Sequence, residues 1–267
     1  QHPFWWTASG VWNSCARRDG RWHLTMHSEQ RCLLIGNSRW HWAQRSGRGA
    51  WSYSHGQPQP SALADSPPLC AWAAVGPVPD HAVLSSDRRL GLGAIPLRDV
   101  PPWLGVDRAL AGWGAWIESG RVGSLMVVDA GTVLSLTRIS GDGGFDGGWL
   151  AAGLGLQLKA MAEGTQALKI PNAQEPSPGA GIPFPRDSCG AMRRGVIESL
   201  VGLIVRAQNR DPSPVWLCGG DAALLEPVLL NEGLEVTHAP DLVMQTLVRL
   251  VSPAPDRSAL DRPWNRP

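Results

Sequence analysis

Two strand–turn–strand patterns, each with a glycine at the turn, constrain the fold of this chain most. In residues 31–42, the apolar run CLLIG meets Asn37 and Ser38, and alternating apolar residues follow. Residues 124–139 read SLMVVDAGTVLSLTRI, with Gly131 at the turn. Apolar runs on both sides of a glycine-containing turn predict β-hairpins. Two such hairpins, each followed by helical patterns, predict two α/β lobes built on one repeated plan and facing a cleft.

Helical periodicity follows each hairpin. Leu110, Trp113 and Ile117 recur at helical spacing, and Gly120 stands where a C-cap glycine is expected. Further helices are predicted in LGLQLKAMAEGTQAL, SCGAMRRGVIESLVGLIVRAQ, DAALLEPVLLNEG and PDLVMQTLVRLV, with a short helix at 79–91. Buried strands are predicted in LCAWAAVG and PVWLCGG, and a loop at 54–68. We therefore expect an N-terminal α/β lobe at 31–120 and a C-terminal α/β lobe at 121–250. Residues 1–30 are predicted to be a poorly ordered extension, and residues 251–267 a disordered tail.

Composition excludes several classes of function. The chain has 267 residues, is 43% hydrophobic and carries a formal net charge of +1, so no global field favours nucleic acid or a membrane surface. The five cysteines lie far apart without a CxxC pair, which disfavours a disulfide framework or a zinc site. No apolar run reaches the length of about 20 residues that spans a bilayer, and no signal peptide is recognised. We expect a cytoplasmic protein without nucleic-acid or membrane partners.

Two short motifs could bind or activate a substrate. The first, Ile35-Gly36-Asn37-Ser38, offers backbone amides and polar side chains that suit phosphate groups, although an ordinary hairpin turn has the same composition. The second, residues 105–108, reads GVDR at the start of a helix. Its Asp is either a helix cap or a carboxylate that accepts a hydroxyl proton beside an anion-binding Arg.

Two further motifs end buried strands. Asp129 follows the apolar run LMVV, where a carboxylate needs a cation or several donors nearby, unless it caps the turn. The sequence LCGG, ending in Gly219 and Gly220, permits close approach of a ligand or simply a tight strand-to-helix turn. The glycine-rich GDGGFDGG has the wrong spacing for a dinucleotide-binding fingerprint and is predicted to be a hairpin.

Taken in order, these motifs resemble the type III pantothenate kinases. The resemblance covers roughly residues 31–250 and includes IGNS, GVDR, DAGT, DSCGAMRRGV and LCGG. Its most specific part is GGFDGGWLAAGLGLQLKAMAEGTQAL, while GNSRWHWA is most similar to cyanobacterial members. The resemblance implies the two-lobe α/β fold of actin, sugar kinases and the chaperone ATPase, with duplicated ribonuclease H-like domains. It also implies ATP-dependent phosphorylation of pantothenate to 4'-phosphopantothenate, the first step of coenzyme A biosynthesis.

The resemblance further implies cofactors and a role for each matching residue. The enzyme would use ATP, Mg2+ and a monovalent cation (K+ or NH4+). It would be a homodimer. Asp107 would be the catalytic proton acceptor, and Asp129 would bind the monovalent cation. ATP would contact Ile35, Gly36, Asn37, Ser38, Arg39 and Thr132, and pantothenate would contact Gly105, Val106, Asp107, Arg108 and Ser188, the last in place of the family's usual Thr.

Two positions depart from the family pattern. Leu34 stands where the family has an Asp close to Mg2+, and DVPPWLG lacks the Tyr that often precedes the GxDR motif. Mg2+ could be held by ATP phosphates and water, or its affinity and the rate could be reduced. Two alternative functions stay open: a non-catalytic regulatory or binding protein derived from this fold, and a kinase for another small hydroxylated substrate.

Overall fold

The computed structural model describes residues 15–18, 21–24, 30–47, 49–65, 69–171 and 182–252. Within the predicted extension, β1 (Cys15–Arg18) pairs antiparallel with β2 (Arg21–Leu24). Most of the other residues of 1–30 and nearly all of 251–267 lie outside the described residues. The extension and the tail therefore stay predictions.

The chain forms two compact units. The described residues up to Ala94, with those from Met244 onward, form the first unit, and Ile95–Val243 form the second. This division follows spatial compactness, whereas the predicted lobes at 31–120 and 121–250 follow the repeated sequence plan. The lobe bounds therefore stay a prediction.

The first unit contains a sheet of four strands in the order β5-β4-β3-β6. These strands are β3 (Gln30–Ile35), β4 (Trp40–Arg45), β5 (Ser52–Gly56) and β6 (Leu69–Ala74). Strand β4 is antiparallel to β3 and β5, and β6 is parallel to β3. The predicted first hairpin and the buried strand after it are confirmed.

Two local predictions in this unit are wrong. The predicted loop at 54–68 contains the end of β5 and a 3-10 turn (Pro60–Ala64), because this polar segment pairs with the edge of β4. The predicted helix at 79–91 is reduced to a 3-10 turn at Ser86–Arg88. Leu90 instead donates its amide to the carbonyl of Trp72 at 2.7 Å, which ties the segment to β6.

Strand β3 is buried on both faces of its sheet. Leu33 and Ile35 pack on one face with a hydrophobic cluster that includes Trp40, Leu63 and Trp72. Leu34 lies on the opposite face and is only 3% exposed. A continuous apolar run, instead of an alternating one, is the pattern expected of a strand covered on both sides.

The second unit contains a sheet of five strands in the order β11-β10-β7-β8-β9. These strands are β7 (Leu125–Ala130), β8 (Val133–Ile139), β9 (Phe145–Ala152), β10 (Val215–Cys218) and β11 (Val236–His238). The hairpin of β7 and β8 is confirmed. The GDGGFDGG turn is shorter than predicted, because its last four residues already belong to β9.

Helices follow the strands as predicted. They are α1 (Val106–Glu118), α2 (Leu154–Glu163), α3 (Ser188–Arg210), α4 (Ala222–Asn231) and α5 (Leu242–Val251). Gly120 has a φ of +79°, which suits its predicted place just beyond α1. No helix among the described residues is long and apolar enough to cross a membrane.

The two units repeat one strand topology. In each, a hairpin of two antiparallel strands (β3 with β4, and β7 with β8) is joined by a parallel strand on the other side of its first strand. That parallel strand is β6 in the first unit and β10 in the second. The predicted internal repeat is confirmed at this level.

Candidate active site

Asp107 lies in the first turn of α1 but does not cap the helix. The N-cap residue is Gly105, which is extended, with φ −60° and ψ 138°. The Asp107 Oδ1 atom accepts a hydrogen bond of 2.7 Å from the backbone N–H of Arg108. The cap interpretation of GVDR is therefore replaced by a carboxylate that is held against the next residue of its own helix.

Arg108 is buried, with 9% of its surface exposed, and its guanidinium is anchored on β8. Its Nε donates to Thr137 Oγ1 at 3.0 Å, and its Nη2 is 3.5 Å from the carbonyl of Leu136. The guanidinium carbon also lies 5.9 Å from the centre of the Phe145 ring. Two of its N–H groups thus fix the guanidinium, and its others can bind an anion.

Gly148 on β9 leaves the space that Arg108 occupies. A Cβ atom at this position would lie 2.8 Å from Arg108 Nη2 and 2.0 Å from the carbonyl oxygen of Leu136. Any larger residue would displace the strand or the guanidinium. The glycine-rich hairpin is therefore part of the site, although sequence reasoning assigned it no contact.

Asp129 stands near the end of β7, between two neighbouring strands. Its register partners are Ser135 on β8 and Cys218 on β10. A Cβ atom at Gly219, where φ is +93°, would lie 2.5 Å from Asp129 Oδ1. The LCGG motif therefore needs glycine because the backbone passes directly beside this carboxylate.

Asp107, Arg108 and Asp129, which we call the carboxylate cluster, influence one another electrostatically. Burial raises the pKa of Asp107, and the hydrogen bond and charge of Arg108 oppose that rise. Burial, followed by the negative charge of Asp107, raises the pKa of Asp129 to about 7, against the attraction of Arg108. Burial lowers the pKa of Arg108, and the two carboxylates counter this. One guanidinium thus faces two carboxylates, an arrangement that favours a proton or a further cation.

The cluster can carry out proton transfer and bind an anion. A carboxylate with a raised pKa is a better proton acceptor near neutral pH than an ordinary surface Asp. The neighbouring guanidinium can bind a carboxylate or a phosphate. Asp129 can supply oxygen for a hard cation, and a cation bound there would oppose the rise in its pKa that burial and Asp107 cause.

Residues 36–39, which we call the glycine loop, connect β3 to β4 in the first unit. The amide of Gly36 donates to the carbonyl of Arg39 at 2.9 Å, and the Ile35 carbonyl accepts from the amides of Val75 and Gly76. A Cβ atom at Gly76 would lie 2.1 Å from the Gly36 carbonyl oxygen. The loop is therefore held from both sides, while the side chains of Asn37, Ser38 and Arg39 are exposed.

Leu34 cannot bind a magnesium ion. Its side chain is apolar and buried on β3, two residues before Gly36. The loop therefore offers amides, hydroxyls and a guanidinium but lacks a carboxylate at this position. Mg2+ binds through oxygen ligands, so Leu34 cannot take the role of the Asp that lies close to Mg2+ in the family.

Thr132 and Ser188 lie at turns of the second unit. Thr132 belongs to the turn between β7 and β8, and its carbonyl accepts a hydrogen bond of 3.0 Å from the amide of Gly153. Ser188 is the exposed first residue of α3, which is capped by Asp187 through a 2.8 Å bond from Gly190. Among the described residues, no hydrogen bond or ion pair joins Ser188 to the carboxylate cluster.

Sequence reasoning missed the residues that support the predicted ones. Thr137 and Gly148 hold or admit Arg108, Gly76 supports the glycine loop, and His41 lies beside that loop. Residues two apart on a strand point to the same face of the sheet. Thr137 is two residues from Ser135, the register partner of Asp129, so the sequence could have indicated that Thr137 lies on the face of Asp129. Within the described ranges, no three His, Cys, Asp or Glu side chains are grouped to hold a metal.

The family of the chain follows from comparison with known proteins. A family model for type III pantothenate kinase matches residues 79–210. The type III pantothenate kinase of Synechococcus sp. (strain JA-3-3Ab) is 39% identical over 58% of this chain, and the alignment spans 65% of that relative. That of Synechococcus elongatus (strain ATCC 33912 / PCC 7942 / FACHB-805) is 31% identical over 82% of this chain and 94% of the relative.

The solved structures identify the fold. A 2-dehydro-3-deoxygalactonokinase protein from Sinorhizobium meliloti superposes with a TM-score of 0.51 at 14% identity, covering 89% of this chain and 98% of that one. At this identity the likeness concerns the fold alone, which is the predicted α/β fold shared by sugar kinases and actin. With a cyanobacterial relative aligned over nearly its full length, this chain belongs to the type III pantothenate kinase family.

Proposed function

We propose that this protein phosphorylates pantothenate with ATP, giving 4'-phosphopantothenate and ADP in the first step of coenzyme A biosynthesis. The observation that carries the proposal is the carboxylate cluster, in which Asp107 and Arg108 lie side by side at the start of α1. These are the residue types that a phosphoryl transfer to an alcohol requires, and they occupy the family's GxDR positions.

Asp107 is the proposed proton acceptor. The primary hydroxyl oxygen of pantothenate forms a bond to the γ-phosphorus, the bond from that phosphorus to the bridging oxygen of ADP breaks, and the hydroxyl proton passes to Asp107. The raised pKa of Asp107 brings this carboxylate closer to neutral pH, where a general base is most effective. Its 2.7 Å bond from the Arg108 amide fixes the orientation of the carboxylate.

Arg108 is proposed to bind the pantothenate carboxylate. A guanidinium presents paired donors to a carboxylate, and Thr137 already fixes its Nε end. Gly105 and Val106 would place their backbone against the same substrate, since they begin α1 beside Asp107. Ser188, an exposed hydroxyl at the start of α3, is proposed to donate to pantothenate where the family has Thr.

The glycine loop is proposed to bind ATP. Ile35 and Gly36 form its start, and the exposed Asn37, Ser38 and Arg39 supply amide, hydroxyl and guanidinium donors for phosphate oxygens. Thr132, in the equivalent turn of the second unit, is proposed as a further ATP contact. The fixed carbonyl of Ile35 supports the loop, because its two hydrogen bonds limit the motion of the backbone before Gly36.

A monovalent cation, K+ or NH4+, fits Asp129. Its carboxylate lies beside the backbone of Gly219 and carries a pKa raised by burial and by Asp107, so a cation here would stabilise the ionised form. Mg2+ supplies charge neutralisation on the ATP phosphates when bound. Leu34 offers it no ligand, so its protein contacts are not assigned to the glycine loop.

We also propose that the enzyme is a cytoplasmic homodimer. The cysteines at positions 32, 70, 189 and 218 are thiols, which agrees with a reducing compartment. Size-exclusion chromatography with light scattering tests the dimer. A monomeric mass at micromolar concentration would contradict it.

One observation favours a second function. Leu34 replaces the family's carboxylate, as expected of a non-catalytic binding protein derived from this fold. Such a protein would bind ATP or pantothenate without turnover. A kinase for another hydroxylated substrate would instead release ADP with that substrate alone.

A coupled ADP-release assay separates these functions. The protein is incubated with ATP, Mg2+ and K+, and pantothenate is compared with a panel of small hydroxylated acids and sugars. We expect ADP release to depend on pantothenate and to fall when K+ is replaced by Na+. Binding of ATP or pantothenate without ADP release would support the non-catalytic binding protein. ADP release with another substrate only would support a kinase for that substrate.

A further inference from the structure

A row of three side chains crosses the sheet beside the glycine loop. Leu34 on β3 is the direct register partner of His41 on β4, and His41 is the direct partner of His55 on β5. Direct partners on neighbouring strands point to the same face of a sheet. The apolar residue that replaces the family's acid is therefore adjacent to a pair of imidazoles.

The two histidines form a direct contact. Their Nδ1 atoms are 2.8 Å apart, and the rings meet edge to face with centroids 4.9 Å apart. Such a contact is a hydrogen bond only if one Nδ1 carries a proton and the other does not. Burial, then the charges of His55 and Arg39, lowers the pKa of His41 to about 4, so its ring is neutral at physiological pH.

The other edge of the His41 ring faces the glycine loop. A Cβ atom placed on Gly36 would lie 3.3 Å from His41 Nε2 and 3.6 Å from its Cδ2. Gly36 itself is fixed by the carbonyl of Arg39, and the residue before it by Val75 and Gly76. The Nε2 atom therefore occupies a defined place at the start of the loop.

We propose that His41 donates a hydrogen bond from Nε2 to the β- or γ-phosphate of ATP at the glycine loop, and that this loop binds phosphate through protein donors and not through a metal ion held by the loop. The inference rests on the proposed use of ATP. It assigns the proton shared by the histidines to His55 Nδ1, which leaves the proton of His41 on Nε2. Amides, hydroxyls, Arg39 and His41 then form a site of donors only, in which an acid at position 34 would repel phosphate.

Nucleotide binding without pantothenate tests this contact. Titration calorimetry measures the Kd of ATP and of AMP, in EDTA and in Mg2+, for the wild-type chain and for His41→Phe, which keeps a ring but removes the donor. We expect His41→Phe to weaken metal-free ATP binding roughly tenfold, as for one lost hydrogen bond to a charged group, and to leave AMP binding unchanged. His41→Gln, which retains an N–H donor, should recover part of the affinity.

A matched control is His81→Phe, in the same unit but outside the glycine loop, where the His81 ring accepts a hydrogen bond from the Val83 amide. Its ATP affinity should equal that of the wild type. Equal metal-free Kd values for wild type and His41→Phe would overturn the proposal, as would equal losses for AMP and ATP. Because the assay omits pantothenate, it can fail while pantothenate kinase activity of the wild type stands.

The tautomer of His41 and an acid introduced at position 34 give two further readouts. Nitrogen-15 NMR of the imidazoles should show the Nε2-protonated tautomer for His41, and the Nδ1-protonated form would contradict the assignment. Leu34→Asp should lower metal-free ATP affinity, and Mg2+ should restore it. Leu34→Asn, which is polar but uncharged, controls for the cost of a polar group at this buried position, and equal affinities of the two variants would count against a donor-only site.

Discussion

Asp129 lies near the end of β7, where burial removes water from its carboxylate and the charge of Asp107 adds repulsion. Its neighbours Gly219 and Cys218 offer no positive charge, and burial with the two carboxylates raises the pKa of the Cys218 thiol. Arg108 is the cation that favours ionisation of both acids. At the scale of residues, two buried carboxylates therefore repel each other beside one guanidinium, and a bound cation or a proton from the substrate would reduce that repulsion.

The raised pKa of Asp129 predicts how stability depends on pH. Burial and the charge of Asp107 raise the pKa of Asp129 to about 7 in the folded protein, whereas the unfolded chain releases this proton near its ordinary pKa of about 3.8. The folded state thus binds more protons between these values, and the free energy of unfolding should fall as pH rises through this window. Urea unfolding at pH 5 and pH 8 measures the difference.

Asp129→Asn should remove much of that pH dependence. In wild type at pH 8, K+ should raise the free energy of unfolding, and it should not do so in Asp129→Asn if this carboxylate binds the cation. Asp80→Asn, at an exposed acid, is the control. The exposed Asp142 would add a pH dependence of its own, because Ser140 and Arg98 lower the pKa of its carboxyl. An unchanged pH slope in Asp129→Asn would contradict the assignment of the raised pKa.

Thr137 is predicted to be a positioning residue that acts through Arg108. Thr137→Val removes the acceptor of the 3.0 Å bond from Arg108 Nε while keeping the shape of the side chain. We expect KM for pantothenate to rise by roughly tenfold with a smaller change in kcat, because the guanidinium loses its fixed orientation. Steady-state kinetics measures both constants.

Thr137→Ser keeps the hydroxyl and should restore KM, which a purely structural role would not require. Thr165→Val, at an exposed threonine just beyond the end of α2, is the matched control. If Thr137→Val and Thr165→Val have the same KM, Thr137 does not position the guanidinium.

At the scale of elements, the glycine-rich hairpin and the helix after it combine two different uses of glycine. Gly148 lies on β9 against the backbone of β8, where a Cβ atom would meet a carbonyl oxygen at 2.0 Å. Gly155 lies in α2 with open space around its Cβ position. The first glycine is required by packing, and the second is not.

Replacing these two glycines by alanine should therefore have opposite effects. Gly148→Ala should separate β8 from β9 and displace Arg108, with a loss of stability of about 1 to 3 kcal/mol. Gly155→Ala should stabilise α2 by up to about 1 kcal/mol, since alanine is the better helix former. Urea unfolding measures both, and equal stability of the two variants would contradict the packing of this hairpin.

The element boundaries also mark what sequence can predict. The hairpins, α1 and α3 follow from periodicity and turn residues, since their apolar positions are dense and regular. The sequence did not predict β5 or β11. Strand β5 is at the edge of its sheet and is mostly polar, and β11 has only three residues, so neither shows an alternating apolar pattern. The predicted helix at 79–91 failed because the segment is tied to β6 instead of forming its own hydrogen bonds.

At the scale of the whole molecule, the repeated plan explains why glycine recurs after the parallel strand of each unit. Gly76 follows β6 and touches Gly36, while Gly219 follows β10 and touches Asp129 and Ala130. The candidate site residues lie in short motifs at strand or helix ends, which is why the sequence alone could single them out. Their supporting contacts, such as Arg108 with Thr137, join residues far apart in the chain and needed the strand register.

The central claim is that Asp107 accepts the hydroxyl proton in a pantothenate kinase reaction. The most direct measurement compares pantothenate-dependent ADP release by wild type, Asp107→Asn and the control Asp142→Asn. We predict turnover by the wild type and Asp142→Asn, and a loss of roughly 10²- to 10⁴-fold in Asp107→Asn, as is usual when a general base is removed. Turnover by Asp107→Asn equal to that of the wild type would contradict the account.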